Sequence, residues 1–331
     1  LREAVLVGER KFAVRRAPKP VLNKDEVLIK VRYCGICGSD LHTYIQGLPA
    51  RYGHEYSGDI VEVGSGVKGW KAGDRVTAES VTSCGECYWC IRGEMGLCET
   101  FYERWGETAG GFATYTRTKQ QQLHKLPPKL SYQEAALTEP TAVALHAVRL
   151  SGMRTGDAVA VLGLGPIGQL VARLAKISGA RAVYASETSK SRIKLARGEV
   201  DEVIDAKTVD PVARILELTE GRGPEVVFEC AGATVPTQQA LALAIKGGTI
   251  VIVGVSMDLA EFLPANVALR ELTIKGSMIF SPGEYALALN LIAGKKIDVA
   301  PLITDVLPLK DINKAFEKAA SGEGGKILIK P

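Results

Sequence analysis

From Asp157 onward the sequence alternates short apolar runs with helical stretches, and no other feature constrains the fold as much. The apolar runs are "DAVAVLG" (157–163), "RAVYASE" (181–187), "VDEVIDA" (200–206), "PEVVFECAG" (224–232), "GGTIVIVGV" (247–255) and "LTIKGS" (272–277). Stretches such as "IGQLVARLAKIS" and "PVARILELTEG" fill the gaps with the periodicity of amphipathic helices. Strands apolar at nearly every position need cover on both faces, and helical crossovers set neighbouring strands parallel. The expected fold class is α/β, with a doubly wound parallel sheet.

The first apolar run continues into "GLGPIGQLVARLAK". Gly163, Gly165 and Gly168 form G-x-G-x-x-G there, with Pro166 and Ile167 inside the motif and Glu187 at the end of the next strand. Glycines let backbone approach a pyrophosphate, and the N-terminus of the following helix faces its charge. An acid so placed accepts from ribose hydroxyls and repels a 2′-phosphate. These residues predict a Rossmann-type domain that binds NAD. Lys190 and Arg192 are the nearby cations that NADP would use instead.

The chain before residue 145 has another character. Runs such as "AVLVG", "EVLIKVRYCG", "SGDIVEVGSG" and "GDRVTAESV" are separated by glycine and proline, which suggests a mostly antiparallel, barrel-like domain. At 331 residues the chain is long enough for two domains. Its 41 basic and 37 acidic residues are spread without a basic run, which argues against nucleic acid and membrane surfaces as partners. The opening "LREAVLVGERKFAVRR" is too charged for a signal peptide. Seven cysteines without an export signal point to a reducing, cytoplasmic setting and to metal or catalysis in place of disulfides.

Four of those cysteines lie close together in "SCGECYWCIRGEMGLCE": Cys84, Cys87, Cys90 and Cys98. Four thiolates in a glycine-punctuated loop match a closed tetrahedral zinc site that leaves no room for substrate. An iron–sulfur cluster uses the same ligand type. No histidine pair or basic helix follows, as a nucleic-acid zinc finger would require.

A second constellation joins "VRYCGICGSDLHTY" to "RYGHEYSGD". Cys37 precedes His54 and Glu55 in the same half of the chain, and a cysteine, a histidine and a carboxylate converging from separate loops make an open zinc site. Gly53-His54-Glu55-x2-Gly58-x5-Gly64-x2-Val67 resembles the signature of the medium-chain zinc-dependent alcohol and polyol dehydrogenases. "GICGSDLH", the four-cysteine loop and "EPTAVALHAV" extend the likeness along the chain.

The resemblance implies a GroES-like catalytic domain over residues 1–145 and 280–331, carrying two zinc sites, and a Rossmann NAD-binding domain over 146–279. It makes Cys37 and His54 ligands of the catalytic zinc and leaves Cys34 as a small buried residue. Where other members use a second cysteine this sequence has Glu139, with Glu55 also at hand, a pattern similar to the sorbitol and butanediol branch. Asp40 is expected to orient His54. Ser39 and His42 match the family's proton relay, which accompanies hydride transfer from a zinc-polarised alcohol to the nicotinamide. The implied substrate is a polyol, vicinal diol or sugar-derived alcohol. L-threonine-type amino-alcohol oxidation is the alternative, followed by a non-catalytic NAD- and zinc-binding protein. Tyr44, Phe101, Trp105 and Phe280 are candidate pocket walls, and a homodimer or homotetramer is expected.

Overall fold

A computed structural model describes residues 1–48, 52–79, 83–101 and 110–331. The chain divides into two compact units. One comprises Leu1–Glu139, Ser281–Gly322 and Lys326–Pro331, and the other Pro140–Phe280 and Glu323–Gly325. Among the described residues no helix is long and apolar enough to cross a membrane.

The first unit opens with a two-stranded ribbon, β1 (Arg2–Gly8) and β2 (Lys11–Arg16). Five further strands follow: β3 (Glu26–Gly35), β4 (Glu55–Val63), β5 (Arg75–Ala78), β6 (Tyr115–Lys119) and β7 (Leu123–Lys125). All pair antiparallel, as the turn-punctuated sequence implies. β3 is the organising strand, because most of "EVLIKVRYCG" is buried and it pairs with both β4 and β6.

The second unit contains the six expected strands: β8 (Ala158–Leu162), β9 (Ala182–Glu187), β10 (Glu202–Asp205), β11 (Val226–Glu229), β12 (Thr249–Ile252) and β13 (Thr273–Gly276). They form one parallel sheet in the order β10-β9-β8-β11-β12-β13, so the winding reverses between β8 and β11. That is the doubly wound order of a dinucleotide-binding domain, whose ligand crevice opens at the reversal. Ala160, Leu162, Val227 and Ile250 from the central strands are fully or almost fully buried against Ile215, Ala240 and Leu243 of the covering helices.

The tail, whose sequence "EYALALNLIAGKKI … LKDINKAFEKAAS … GKILIKP" reads as helix, helix and closing strand, holds one further strand. Between the helices Glu284–Ala293 and Ile312–Ala320 lies β14 (Ile303–Pro308), which runs parallel to the closing strand β15 (Lys326–Lys330). β15 in turn pairs antiparallel with β3, Leu328 opposite Gly35 and Ile329 opposite Cys34, which extends the sheet to β14-β15-β3-β4-β5-β7. The return is sealed by aromatic packing. Phe316, from the last helix, has its ring centre 4.7 Å from that of Phe12 and 4.8 Å from that of Tyr44. Large aromatic side chains contribute much of a core's burial energy, so this insertion ties the C-terminus to the N-terminal ribbon. Tyr44 is therefore a core residue and not a pocket wall: it is fully buried, stacks on Phe12 and donates its hydroxyl to the Arg10 carbonyl.

Candidate active site

The β3–β4 ladder brings the two sequence constellations together. Gly35, the last residue of β3, lies opposite Glu55, the first residue of β4. Cys37 therefore stands beside His54 and Glu55, and one donor atom from each lies within 4.8 Å of the others. His54 is 2% exposed and Glu55 not at all. Cys37 also starts the helix Gly38–Gln46, whose Asp40 carboxylate accepts the Cys37 N–H at 3.0 Å. The other oxygen of Asp40 accepts from Gly53 N–H at 3.5 Å and lies 3.7 Å from Nδ1 of His54. One buried carboxylate thus braces both ligand-bearing loops. Cys34, by contrast, is completely buried in the first unit's core.

This neighbourhood is acidic. Burial alone would keep the His54 imidazole neutral, but Asp40, Glu139 and Glu55 outweigh it and raise its pKa. Desolvation, then Glu55, pushes the Cys37 thiol up to about 12, opposed by Lys326 and by a hydrogen bond from Ser39. Glu139 is 4% exposed, and its desolvation pushes it up to about 8 against the pull of His54. Glu139 stands outside the group whose donors lie within 4.8 Å of one another, yet His54, Glu55 and Cys37 all act on its charge. Two buried carboxylates, Glu55 and Glu139, and the Cys37 thiol act on one buried lysine, Lys326. A soft sulfur, an imidazole and surplus negative charge are what a zinc ion requires, so the residues fit the metal.

Ser39 and His42 occupy the exposed face of the helix Gly38–Gln46, whose Asp40 and Tyr44 point inward. They lie three positions apart, which makes them neighbours on a helix surface. Of the other candidate pocket walls, Phe101 and Phe280 are buried, and Trp105 lies outside the described residues.

The four-cysteine loop is compact. Donor atoms of Cys84, Cys87, Cys90 and Cys98 lie within 4.8 Å of one another, with sulfurs 3.8 Å apart for Cys84–Cys90 and 3.5 Å for Cys87–Cys90. A disulfide needs about 2.05 Å. A tetrahedron of Zn–S bonds near 2.3 Å places sulfurs about 3.8 Å apart, so the loop fits a closed zinc site. Backbone N–H groups of Cys84 and Cys87 donate to the sulfurs of Cys98 and Cys84 at 3.3 and 3.2 Å. Such donors favour the thiolate: against the cost of burial, the amide of Cys84 and the groups of Thr100 bring Cys98 down to about 6.

In the second unit the glycine loop has the geometry its motif requires. Gly163 adopts a left-handed φ of 94°, and a Cβ on Gly168 would meet the Gly163 carbonyl at 1.9 Å. Only glycine lets the helix Pro166–Ile177 pack this closely behind β8, with Pro166 at its first position. Glu187 closes the far side: its carboxylate accepts Leu164 N–H at 2.9 Å and the N–H groups of Thr188 and Ser189 at 2.6 and 2.9 Å. A Cβ at Gly165 would lie 3.6 Å from the guanidinium of Arg192, which also sits 3.9 Å from Glu187 and donates to the Gly324 carbonyl at 3.1 Å.

Sequence reasoning missed two residues. Glu229, at the end of β11 beside the strand-order reversal, is fully buried and accepts the N–H groups of Ala231 and Gly232 at 2.8 and 2.9 Å. Lys326 bonds Glu55. An acid in an otherwise apolar run, "VVFECAG", was a readable signal for the first; nothing local marked the second.

Residues 23–128 match the alcohol dehydrogenase GroES-like domain, and residues 166–294 match the zinc-binding dehydrogenase domain. A sorbitol dehydrogenase of Halalkalibacterium halodurans is 37% identical, over 98% of this chain and 97% of that protein. The chain belongs to the zinc-dependent alcohol and polyol dehydrogenase family. Solved members share the whole fold. The 2R,3R-butanediol dehydrogenase of Bacillus subtilis is 34% identical with a TM-score of 0.89, covering 100% of this chain and 99% of that one. An NADP-bound putative zinc-binding dehydrogenase of Sinorhizobium meliloti is 33% identical with a TM-score of 0.92 over the same shares. As a dehydrogenase of this family, the protein uses zinc and a nicotinamide cofactor and acts on a small-molecule alcohol.

Proposed function

We propose that the protein oxidises a secondary alcohol of the polyol, vicinal diol or sugar-derived kind, with NAD as hydride acceptor. The observation that carries this reading is the meeting of Cys37, His54 and Glu55, with the buried Glu139 carboxylate acting on the charge of the same groups. A ligand shell rich in carboxylate gives the pocket polar character, which suits a substrate bearing several hydroxyls. The names carried by the relatives, sorbitol dehydrogenase and butanediol dehydrogenase, agree with it.

When bound, zinc supplies a Lewis acid that lowers the pKa of an alcohol, and NAD supplies the hydride acceptor. The chain's own residues do the rest. Cys37 and His54 hold the metal, with Glu139 and Glu55 as the carboxylates beside it, and Asp40 orients His54. Ser39 takes the alcohol proton and His42 passes it to solvent from the exposed helix face, a task suited to an imidazole. Cys84, Cys87, Cys90 and Cys98 hold a second, structural zinc. Gly163–Gly168 receive the pyrophosphate, and Glu187 receives the ribose hydroxyls and disfavours a 2′-phosphate. Arg192 rests over the loop as a further phosphate partner.

A homodimer or homotetramer is supported by the second unit's surface, where Val255, Met257, Leu259 and Leu263 are exposed and β13 ends the sheet with Ile274 exposed. The reading places the protein in the cytoplasm, a reducing setting suited to cysteines that hold metal.

The test is a substrate panel: polyols, vicinal diols, sugar alcohols, simple alcohols and L-threonine, each with NAD and with NADP. Turnover concentrated on polyols or diols with NAD is the expected result. Turnover of L-threonine alone would overturn the substrate class, and a preference for NADP would overturn the role given to Glu187.

A further inference from the structure

Glu187 closes β9 on one side of the Gly163–Gly168 loop, where it receives the adenosine ribose in the reading above. With the pyrophosphate on that loop, the nicotinamide half lies across the strand-order reversal, over the ends of β11 and β12. Three backbone segments meet there with almost no side chain between them. A Cβ on Gly163 would lie 2.8 Å from the amide nitrogen of Ala231, and one on Gly232 2.9 Å from the carbonyl of Val255. A Cβ on Gly254 would lie 2.2 Å from the amide nitrogen of Gly232. The loops after β8, β11 and β12 therefore form one seam, which Gly232 enters with a left-handed φ of 65°.

Glu229, the last residue of β11, holds two of these loops at once. Its carbonyl accepts the N–H groups of Val253 and Gly254 at 2.8 and 2.9 Å. Oε1 of its side chain accepts those of Ala231 and Gly232 at 2.8 and 2.9 Å. Oε2 would stand 2.8 Å from a Cβ on Gly254, and among the described residues no hydrogen-bond partner reaches it. A buried carboxyl with one bare oxygen costs stability, and burial accordingly raises its pKa. What offsets the cost is the acceptor it offers to two amide groups of the turn.

We propose that Glu229 is a positioning residue for the nicotinamide end of the cofactor: by fixing Ala231 and Gly232 against Val253–Val255, it sets the surface on which that half of the dinucleotide lies for hydride transfer. This rests on the cofactor reading above and deepens it, since it gives the two halves of the cofactor separate supports.

The experiment compares two probes on the full chain: NADH, read by the fluorescence of its nicotinamide, and ADP, which carries the adenosine and pyrophosphate alone. Glu229→Leu leaves two amides buried without their acceptor. It is expected to weaken NADH binding about 10-fold or more while ADP affinity changes by less than about 2-fold, and kcat falls. Glu229→Gln keeps a carbonyl oxygen for the turn and recovers most of the NADH affinity that Glu229→Leu loses.

Equal weakening of NADH and ADP in Glu229→Leu would overturn the proposal, because the residue would then hold the crevice as a whole. Unchanged NADH binding, or a Glu229→Gln variant as weak as Glu229→Leu, would overturn it too. Should Glu229→Leu not fold, Glu229→Asp decides, since it keeps the acid and withdraws the acceptor by one methylene. Weaker NADH with unaltered ADP then supports the assignment, and loss of both alike, or of neither, overturns it. If the wild type binds neither probe, the cofactor reading itself fails, a result distinct from the failure of Glu229 alone.

Discussion

Asp40 lies 3.7 Å from Nδ1 of His54 while its other oxygen accepts the amide N–H of Cys37 at 3.0 Å, so one carboxylate serves both proposed zinc-binding loops. Replacing it removes an orienting partner from the imidazole and a cap from the helix Gly38–Gln46. Asp40→Ala is expected to weaken zinc binding at this site by about 10- to 100-fold. Loss of the cap costs about 1 kcal/mol of stability. Metal content after a chelator challenge, together with a thermal melt, checks both.

Glu187 meets the loop of Gly163–Gly168 through the amide of Leu164, so its replacement acts on the loop and on the cofactor at once. Glu187→Ser is expected to lower kcat/KM for NAD by about 10-fold or more, equivalent to ~1.4 kcal/mol. The value for NADP falls less, because the repulsion of a 2′-phosphate is relieved. Steady-state kinetics with both cofactors measure the ratio, and an unchanged ratio would remove Glu187 from cofactor selection.

Gly168→Ala places a methyl where the Gly163 carbonyl lies 1.9 Å away. The helix Pro166–Ile177 must then back off from β8, an overpacking penalty of about 1–3 kcal/mol. Weakened NAD binding by calorimetry, alongside a lower Tm, is the expected pair of results.

Ser131 caps the helix Tyr132–Ala136, its hydroxyl accepting the Glu134 amide at 3.1 Å while the Glu134 carboxylate accepts the Ser131 amide at 3.2 Å. This pair offers a pH test. Burial would raise the Glu134 pKa, but the Lys295 ammonium and the Ser131 hydroxyl and amide outweigh it, leaving the carboxyl below its ordinary 4.5. A depressed folded pKa contributes stability that is present above the unfolded value and lost as pH falls through the folded one. Glutamine preserves the cap but not the charge. Glu134→Gln is therefore expected to be less stable than wild type by up to about 1 kcal/mol at neutral pH. Denaturant melts should show the difference shrinking as pH drops below 4.5 toward the depressed value.

What the sequence disclosed follows the range of the interactions concerned. The glycine loop and the four-cysteine loop are local, so spacing alone displayed them, and the six parallel strands were visible as apolar runs bounded by helical ones. Cys37 and His54 were visible as residue types, but their meeting depends on the register that sets Gly35 opposite Glu55. Lys326 was out of reach: in "GGKILIK" it looks like any strand lysine, and only the pairing of β15 with β3, far away in the chain, carries it inward. β14 escaped for a related reason. "ITDVLP" is half exposed and carries Asp305 and Pro308, so nothing in its pattern outweighs the helices on either side. Tyr44 shows the opposite error, where an aromatic beside the site motif belongs to the core that Phe316 completes.

The most direct test of the account removes the metal and returns it. The purified protein is stripped by chelation until zinc is undetectable, assayed for NADH formation with its best polyol, then reloaded with zinc and assayed again, with His54→Ala in parallel. Activity lost on stripping, restored by zinc in the wild type and not restored in His54→Ala is the predicted result. Full turnover by the zinc-free protein, or equal restoration in His54→Ala, would contradict the assignment of Cys37 and His54 as the catalytic zinc site.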